Sequence, residues 1–176
     1  MAHVNIEIKA RCDKPEAIRQ ILEECSAEFN GVDHQVDTYF RVPNGRLKLR
    51  QGNIENSLIF YDRANTAGPK RADVSLYRTD TPGGAQLHET LTGTLDVLIV
   101  VDKQREIYFI DNVKFHIDTV EQLGHFVEIE AIDESGTLDP EKLRAQCDYY
   151  ITLFNITDAD IVNVSYSDLL LERSSK

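Results

Sequence analysis

Tryptophan is absent, methionine occurs once, and only five prolines and three cysteines are found among 176 residues. Cys12, Cys25 and Cys147 cannot all pair and have no metal-ligand spacing, which argues against a disulfide framework and a thiolate zinc site. Reduced thiols in a cytoplasmic protein are the expectation. No apolar run approaches the roughly 18 residues of a membrane-spanning helix. The N-terminus, Met1-Ala2-His3-Val4-Asn5, has no signal-peptide design. Positive charge is also scarce: 19 Lys and Arg stand against 30 Asp and Glu, a formal net charge of −11. Long nucleic acid and an anionic membrane surface both require a broad basic surface, so neither is expected as a partner. A small polyanion held in a local basic site is compatible with the deficit. The length suits one domain, 1–176, with a real core.

Against this background one short stretch stands out, Arg46-Leu47-Lys48-Leu49-Arg50, following the turn signal Pro43-Asn44-Gly45. Successive side chains of a strand point to opposite faces, so Arg46, Lys48 and Arg50 share one face and the two leucines the other. Three cations side by side repel one another and are comfortable only in water or around an anion. Taken alone, the stretch reads first as the solvated face of a half-buried strand.

The same alternation recurs along the chain. Residues 3–12 read as a strand, with Glu7 and Lys9 opposite Ile6 and Ile8. Asp13 then caps a helix that carries Pro15 early, follows an apolar period and ends near Asn30-Gly31. Strands are expected at 34–42, 46–51, 57–63, 73–79, 97–103, 104–110, 113–119 and 125–132, with a polar loop at 64–71 and a short helix at 86–95. Asp139-Pro140-Glu141 opens a helix running to about Phe154, and 166–172 forms a last one. Lys103 and Arg105 share a face; Lys114, His116 and Asp118 oppose Val113, Phe115 and Ile117; Glu128 and Glu130 oppose Val127, Ile129 and Ala131.

Two architectures fit. An antiparallel sheet can leave its charged face wet. Alternatively it curls until that face lines a closed or nearly closed barrel, with helices covering the apolar exterior; closure also removes exposed edges. Unpaired buried charges cost several kcal/mol each by rough estimate, so such an interior must hold water, counter-charges and an anionic ligand. The paired carboxylates on the same faces then point to a divalent metal, because magnesium takes hard oxygen ligands together with substrate phosphates.

Asn5-Ile6-Glu7-Ile8-Lys9 resembles the N-terminal Glu-x-Glu-x-Lys signature of the CYTH superfamily, which includes class IV adenylyl cyclases, thiamine triphosphatases and inorganic triphosphatases. Further blocks look like those of bacterial class IV cyclase-like members: Asp37-Thr38-Tyr39-Phe40, residues 45–50, 58–63 and 68–71, Lys103-Gln104-Arg105-Glu106-Ile107-Tyr108, His116-Ile117-Asp118, residues 123–130 and residues 165–170. The resemblance covers nearly the whole chain, in order. It implies an α+β, mainly antiparallel protein: an eight-stranded antiparallel tunnel with helices packed outside. It makes Lys9, Arg46, Lys48, Arg50, Arg63, Lys103, Arg105 and Lys114 phosphate ligands. Glu7, Glu128 and Glu130 become carboxylates for Mg2+ or Mn2+, and Glu7, Lys9, Arg50 and Glu128 the catalytic set. The departure is Asn5, where the signature has Glu; an amide oxygen can still hold a metal or its water, without the charge.

The resemblance therefore implies a metal-dependent enzyme acting on a small-molecule triphosphate, first of all a cyclase converting ATP to cyclic AMP and pyrophosphate. The alternatives are a triphosphatase for inorganic, thiamine or nucleoside triphosphate, and a non-catalytic polyphosphate or nucleotide binder. A homodimer is compatible with either enzyme.

Overall fold

The structure, a computed structural model, describes residues 4–62, 73–79, 85–133 and 138–175. In chain order the elements are β1 (Val4–Arg11), α1 (Pro15–Glu24), β2 (Glu28–Phe40), β3 (Arg46–Gln51), β4 (Ser57–Asp62), β5 (Asp73–Arg78), α2 (Ala85–Thr94), β6 (Val97–Ile110), β7 (Val113–Val120), β8 (Gly124–Asp133), α3 (Pro140–Leu153) and α4 (Tyr166–Ser174). Among the described residues, the eight strands form one antiparallel sheet in the order β1-β8-β7-β6-β2-β3-β4-β5. Among the described residues, no helix is long and apolar enough to cross a membrane.

The sheet is strongly curled into a half-barrel whose ends are β1 and β5. One ion pair makes the curl measurable. Lys114 on β7 reaches Glu55, between β3 and β4, at 2.6 Å, although β6 and β2 lie between them in the sheet. In a flat sheet, three inter-strand steps would hold those backbones about 14 Å apart. The convex face carries the main core: Ile6, Ala10, Phe115, Ile117, Val127 and Ile129 pack on Ile18 and Leu22 of α1 and on Leu143, Cys147 and Phe154 of the α3 end. The charged residues line the concave face. α4 lies against one end of that face, where Tyr166 and Leu170 join Tyr39, Val101, Val120 and Phe126 in a second apolar cluster.

Three local expectations need correction. The first helix stops at Glu24, with Ser26 at φ 56 turning the chain, and residues 28–33 belong to β2. Gly31 is therefore no helix cap. It sits at φ +114 where the β2–β6 register shifts, a β-bulge that suits glycine. Asp13 does not cap α1 either: Lys14 occupies the N-cap without a side-chain bond, while Pro15 does sit in the first turn. Finally, residues 97–103 and 104–110 are one continuous strand, β6, paired with β2 on one side and β7 on the other. Merging them reduces nine expected strands to eight.

The other boundaries follow the sequence signals closely. Gly45 takes φ +61 in the β2–β3 turn, with the Phe60 ring 2.8 Å from where a β-carbon would stand. Asp139 caps α3 through Glu141 N, and Ser165 with Asp168 forms a capping box on α4. All three cysteines are free, Cys12 and Cys147 buried and Cys25 exposed. The expected loop at 64–71 and Arg63 lie outside the described residues.

Candidate triphosphate site on the concave face

Strand register assembles the site. Lys9 stands opposite Glu128 and Glu7 opposite Glu130 across β1 and β8. Asp37 faces Arg50, and Tyr39 faces Lys48, across β2 and β3. Arg105 faces Asp118 across β6 and β7. Alternation therefore brings Lys9, Arg46, Lys48, Arg50, Lys103, Arg105 and Lys114 to one curled surface with Glu7, Glu128 and Glu130.

Every one of these seven cations meets a carboxylate. Asp37 is the largest hub: its Oδ1 accepts from Arg50 Nε at 2.8 Å, and its Oδ2 from Arg50 Nη2 (2.9 Å), Lys48 Nζ (2.9 Å) and Lys103 Nζ (3.1 Å). Burial would raise the Asp37 pKa, but Arg50, Lys103 and Lys48 outweigh it and hold the carboxyl well below the usual range. Lys103, whose side chain is only 1% exposed, responds the other way. Burial, reinforced by Arg50, Arg105 and Lys48, overrides Asp37 and brings its ammonium down to about 7.

Arg105 forms the second hub. It donates bidentately to Asp118 at 2.7 and 2.6 Å and also to Glu128 Oε2 at 2.7 Å. Glu128 Oε2 accepts in addition from His116 Nδ1 at 3.0 Å, while Lys9 Nζ lies 3.3 Å from Oε1. Burial pushes Glu128 up, yet Arg105 and Lys9 prevail and keep it well below its ordinary value. His116 is brought down to about 4, first by burial and then by Arg105, so its ring is neutral at pH 7. Tyr166 Oη on α4 donates to Asp118 at 2.8 Å, and Lys9 Nζ sits 4.3 Å above the Tyr166 ring. Arg46 donates from Nη1 to Ser165 Oγ and Asp168 Oδ2, tying β3 to the cap of α4.

The three carboxylates expected to hold a metal divide into two kinds. Both oxygens of Glu128 are already on cations. Glu130 is different: burial, the facing Glu7 and nearby Glu128 push its carboxyl up to about 7, against Lys114 and the bond it accepts from Asn5 Nδ2 at 2.8 Å. A carboxyl raised by burial and by neighbouring carboxylates is a place where added positive charge is favourable. Glu7 and Glu130, with the Asn5 amide beside them, supply hard oxygen donors that fit Mg2+ or Mn2+. Among the described residues, no group of three or more His, Cys, Asp and Glu is gathered as a ready metal site. Asn5 also acquires a physical reason. A glutamate there would face Glu130 with a third negative charge, whereas the amide donates to it.

At the α4 end of the concave face lies a cleft of about 290 Å³, lined by Tyr39, Phe40, Arg41, Arg46, Leu98 and Leu171 among others, with Ser167 and Asp168 on one wall. Arg46 belongs to both the cleft and the cation row, and Lys48 Nζ lies 5.4 Å from the centre of the Tyr39 ring.

An antiparallel half-barrel whose concave face carries cations from four strands has clear relatives. The chain matches the CYTH domain over residues 3–154. It belongs to the CYTH family. CYTH proteins act mostly on triphosphates and generally use divalent metals. Among solved structures, a Pyrococcus horikoshii protein, PH1012, is 25% identical with a TM-score of 0.79, over 94% of this chain and 99% of that one. A candidate adenylate cyclase from Vibrio parahaemolyticus is 18% identical, TM-score 0.72, covering 97% and 99%. A Hippeastrum protein, named as a candidate adenylyl cyclase and described as having a dominant triphosphatase activity, is 16% identical, TM-score 0.67, covering 98% and 97%. The last two likenesses establish the fold alone. No curated protein matches the chain.

The sequence pattern picks out the cations of this face but, apart from Glu128, which it reads as a metal ligand, gives no role to the carboxylates that hold them. Asp37 and Asp118 were legible by parity, since each falls on the charged face of its strand. Glu55 lies in a loop and carries no periodic signal.

Proposed function

We propose that this CYTH protein is a metal-dependent enzyme acting on a nucleoside triphosphate, with cyclisation of ATP to cyclic AMP and pyrophosphate as its reaction. The observation that supports this reading is the adjoining cleft. A cation row alone suits any polyphosphate, whereas an aromatic and aliphatic cleft sharing Arg46 with that row suits a triphosphate bearing an organic group. The Tyr39, Phe40, Leu98 and Leu171 side chains would take the base, and Ser167 and Asp168 offer partners for ribose hydroxyls.

The proposed chemistry is mainly electrostatic. Lys9, Lys48, Arg50 and Arg105 bind phosphate oxygens, held in place beforehand by Asp37, Asp118 and Glu128. Glu128 acts by fixing Lys9, Arg105 and His116 around one carboxylate. The ribose 3′-oxygen attacks the α-phosphorus in line, the bond to the β-phosphate bridging oxygen breaks, and the cations stabilise the charge on departing pyrophosphate. A divalent ion held by Glu7 and Glu130, which stand beside Lys114 in the sheet, would supply further positive charge to the phosphate oxygens at that end.

Incubating the protein with ATP and Mg2+ or Mn2+ and separating the products tests the reading. Cyclic AMP with pyrophosphate is expected. Orthophosphate from ATP, or faster turnover of inorganic tripolyphosphate, would replace cyclisation by hydrolysis. Absence of turnover with every triphosphate and either metal would reduce the protein to a binding module.

A further inference from the structure

Most carboxylates among the cations are fixed by the sheet. Asp37, Asp118 and Glu128 are buried on strands, and each is locked by its register. Glu55 is not. It comes from the β3–β4 loop, its side chain is 28% exposed, and it enters the concave face from the rim. There its Oε1 accepts from Lys114 Nζ at 2.6 Å, and its Oε2 from Arg50 Nη1 at 3.1 Å and Gln35 Nε2 at 3.0 Å. One carboxylate thus collects donors from β7, β3 and β2.

We infer that Glu55 stands in the place of the terminal phosphoryl group, and that a triphosphate binds by exchanging for it. The inference rests on the triphosphate reading of the site. A terminal phosphoryl group presents three oxygens and up to two negative charges, so it can take all three donors and outcompete a singly charged carboxylate. The donors survive the exchange. Arg50 stays anchored to Asp37 through Nε and Nη2, and Gln35 Nε2 also donates to Asp33 at 2.7 Å. Lys114, which among the described residues has no other carboxylate within 4.0 Å, gains most from a new anion.

The loop is built so that the side chain can leave while the backbone stays. Asp33, fully buried, accepts from the amides of Ile54 at 2.8 Å and Glu55 at 2.9 Å. Asn56 closes the other side by bonding both the N–H and the carbonyl of Gly52. Neither set of bonds involves the Glu55 carboxylate. The exchange also orients the ligand. Its terminal phosphoryl group lies at the Lys114 end, while Arg46 and the Tyr39 cleft receive the opposite end.

Calorimetric titration with inorganic tripolyphosphate, without metal and in the presence of a chelator, tests the exchange. Glu55→Gln and Glu55→Ala should each bind about tenfold more tightly than the parent, the equivalent of one competing charged contact. Thermal melts confirm that both variants are folded, and Ala guards against a Gln amide blocking the position. A general loss of negative charge would also raise anion affinity, so the same substitutions are repeated in a Lys114→Met background. Direct exchange requires most of the gain to vanish there. Parent-like affinity in both variants, or an undiminished gain without Lys114, overturns the inference and leaves the triphosphate reading intact. No tripolyphosphate binding by parent or variants removes both.

Discussion

Replacing Asp37 by Asn tests whether the cation cluster is held as the geometry implies. The carboxylate is 2% exposed and serves Arg50, Lys48 and Lys103 at once. Asn keeps the volume but removes the charge and turns an N–H2 toward cations. Removing one partner of a buried ion pair costs about 3–5 kcal/mol, a large part of the roughly 5–15 kcal/mol that holds a typical domain together. For a chain of this size, each kcal/mol shifts the melting temperature by about 2–4 °C, so a fall of about 6–20 °C is expected. The deficit should depend on pH. Lys103 already titrates near 7 in the folded protein and ordinarily at 10.5. Without Asp37 it loses its proton more readily, and wherever the unfolded chain binds more protons than the folded one, stability rises with pH. The deficit should therefore be larger at pH 6 than at pH 8.5. Urea denaturation at both values measures it. A loss below about 1 kcal/mol at pH 6 would refute the picture of three cations sharing one buried charge.

Two further outcomes are expected. Glu130, raised from an ordinary 4.5 to about 7, holds its proton more tightly in the folded protein, so its contribution to stability should decline as pH rises between those values, while His116, lowered from 6.5 to about 4, contributes a rise over the acid part of the same window. Removing the Glu130 contribution with Glu130→Gln should leave a curve that rises more steeply with pH across the window than the parent's, as should saturating Mn2+ in the parent; parallel curves for parent and Glu130→Gln would contradict the facing Glu7–Glu130 pair. Tyr166→Phe removes only the hydroxyl donated to Asp118 and keeps the ring contacts with Phe126 and Lys9. Because Arg105 still covers both Asp118 oxygens, the loss should stay near 1–1.5 kcal/mol, and equilibrium denaturation showing several times that would mean Tyr166 holds α4 in place chiefly through this bond.

What could be read from the chain, and what could not, divides by the range of the interaction. Period-two alternation at Arg46-Leu47-Lys48-Leu49-Arg50 correctly assigns faces, because a strand's pleat is local. The same parity runs unbroken through Val101, Lys103, Arg105 and Ile107, which is why the division at 103 and 104 was misplaced: nothing in the pattern turns there. The end of α1 was misread because Phe29-Asn30-Gly31 has the composition of a helix terminus. The glycine is used instead for a bulge, specified by β6 some eighty positions later. Counter-charges are harder still. That Lys114 meets Glu55, or Arg46 meets Asp168, depends on the curl of the whole sheet and the docking of α4, neither of which leaves a local mark.

The sheet order carries a consequence for synthesis. β1 is the first strand to be made, yet its neighbour is β8: Asn5 and Glu130 are 125 positions apart. At roughly 5–20 residues per second, β1 spends about 6–25 s without its partner. Throughout that interval Ile6, Ile8 and Ala10 have neither the β8 residues nor the α3 face they finally pack on. The signature strand Asn5-Ile6-Glu7-Ile8-Lys9 is thus the earliest to emerge and among the last to be sheltered. A nascent chain halted before residue 124 should keep that segment open to chaperones and proteases.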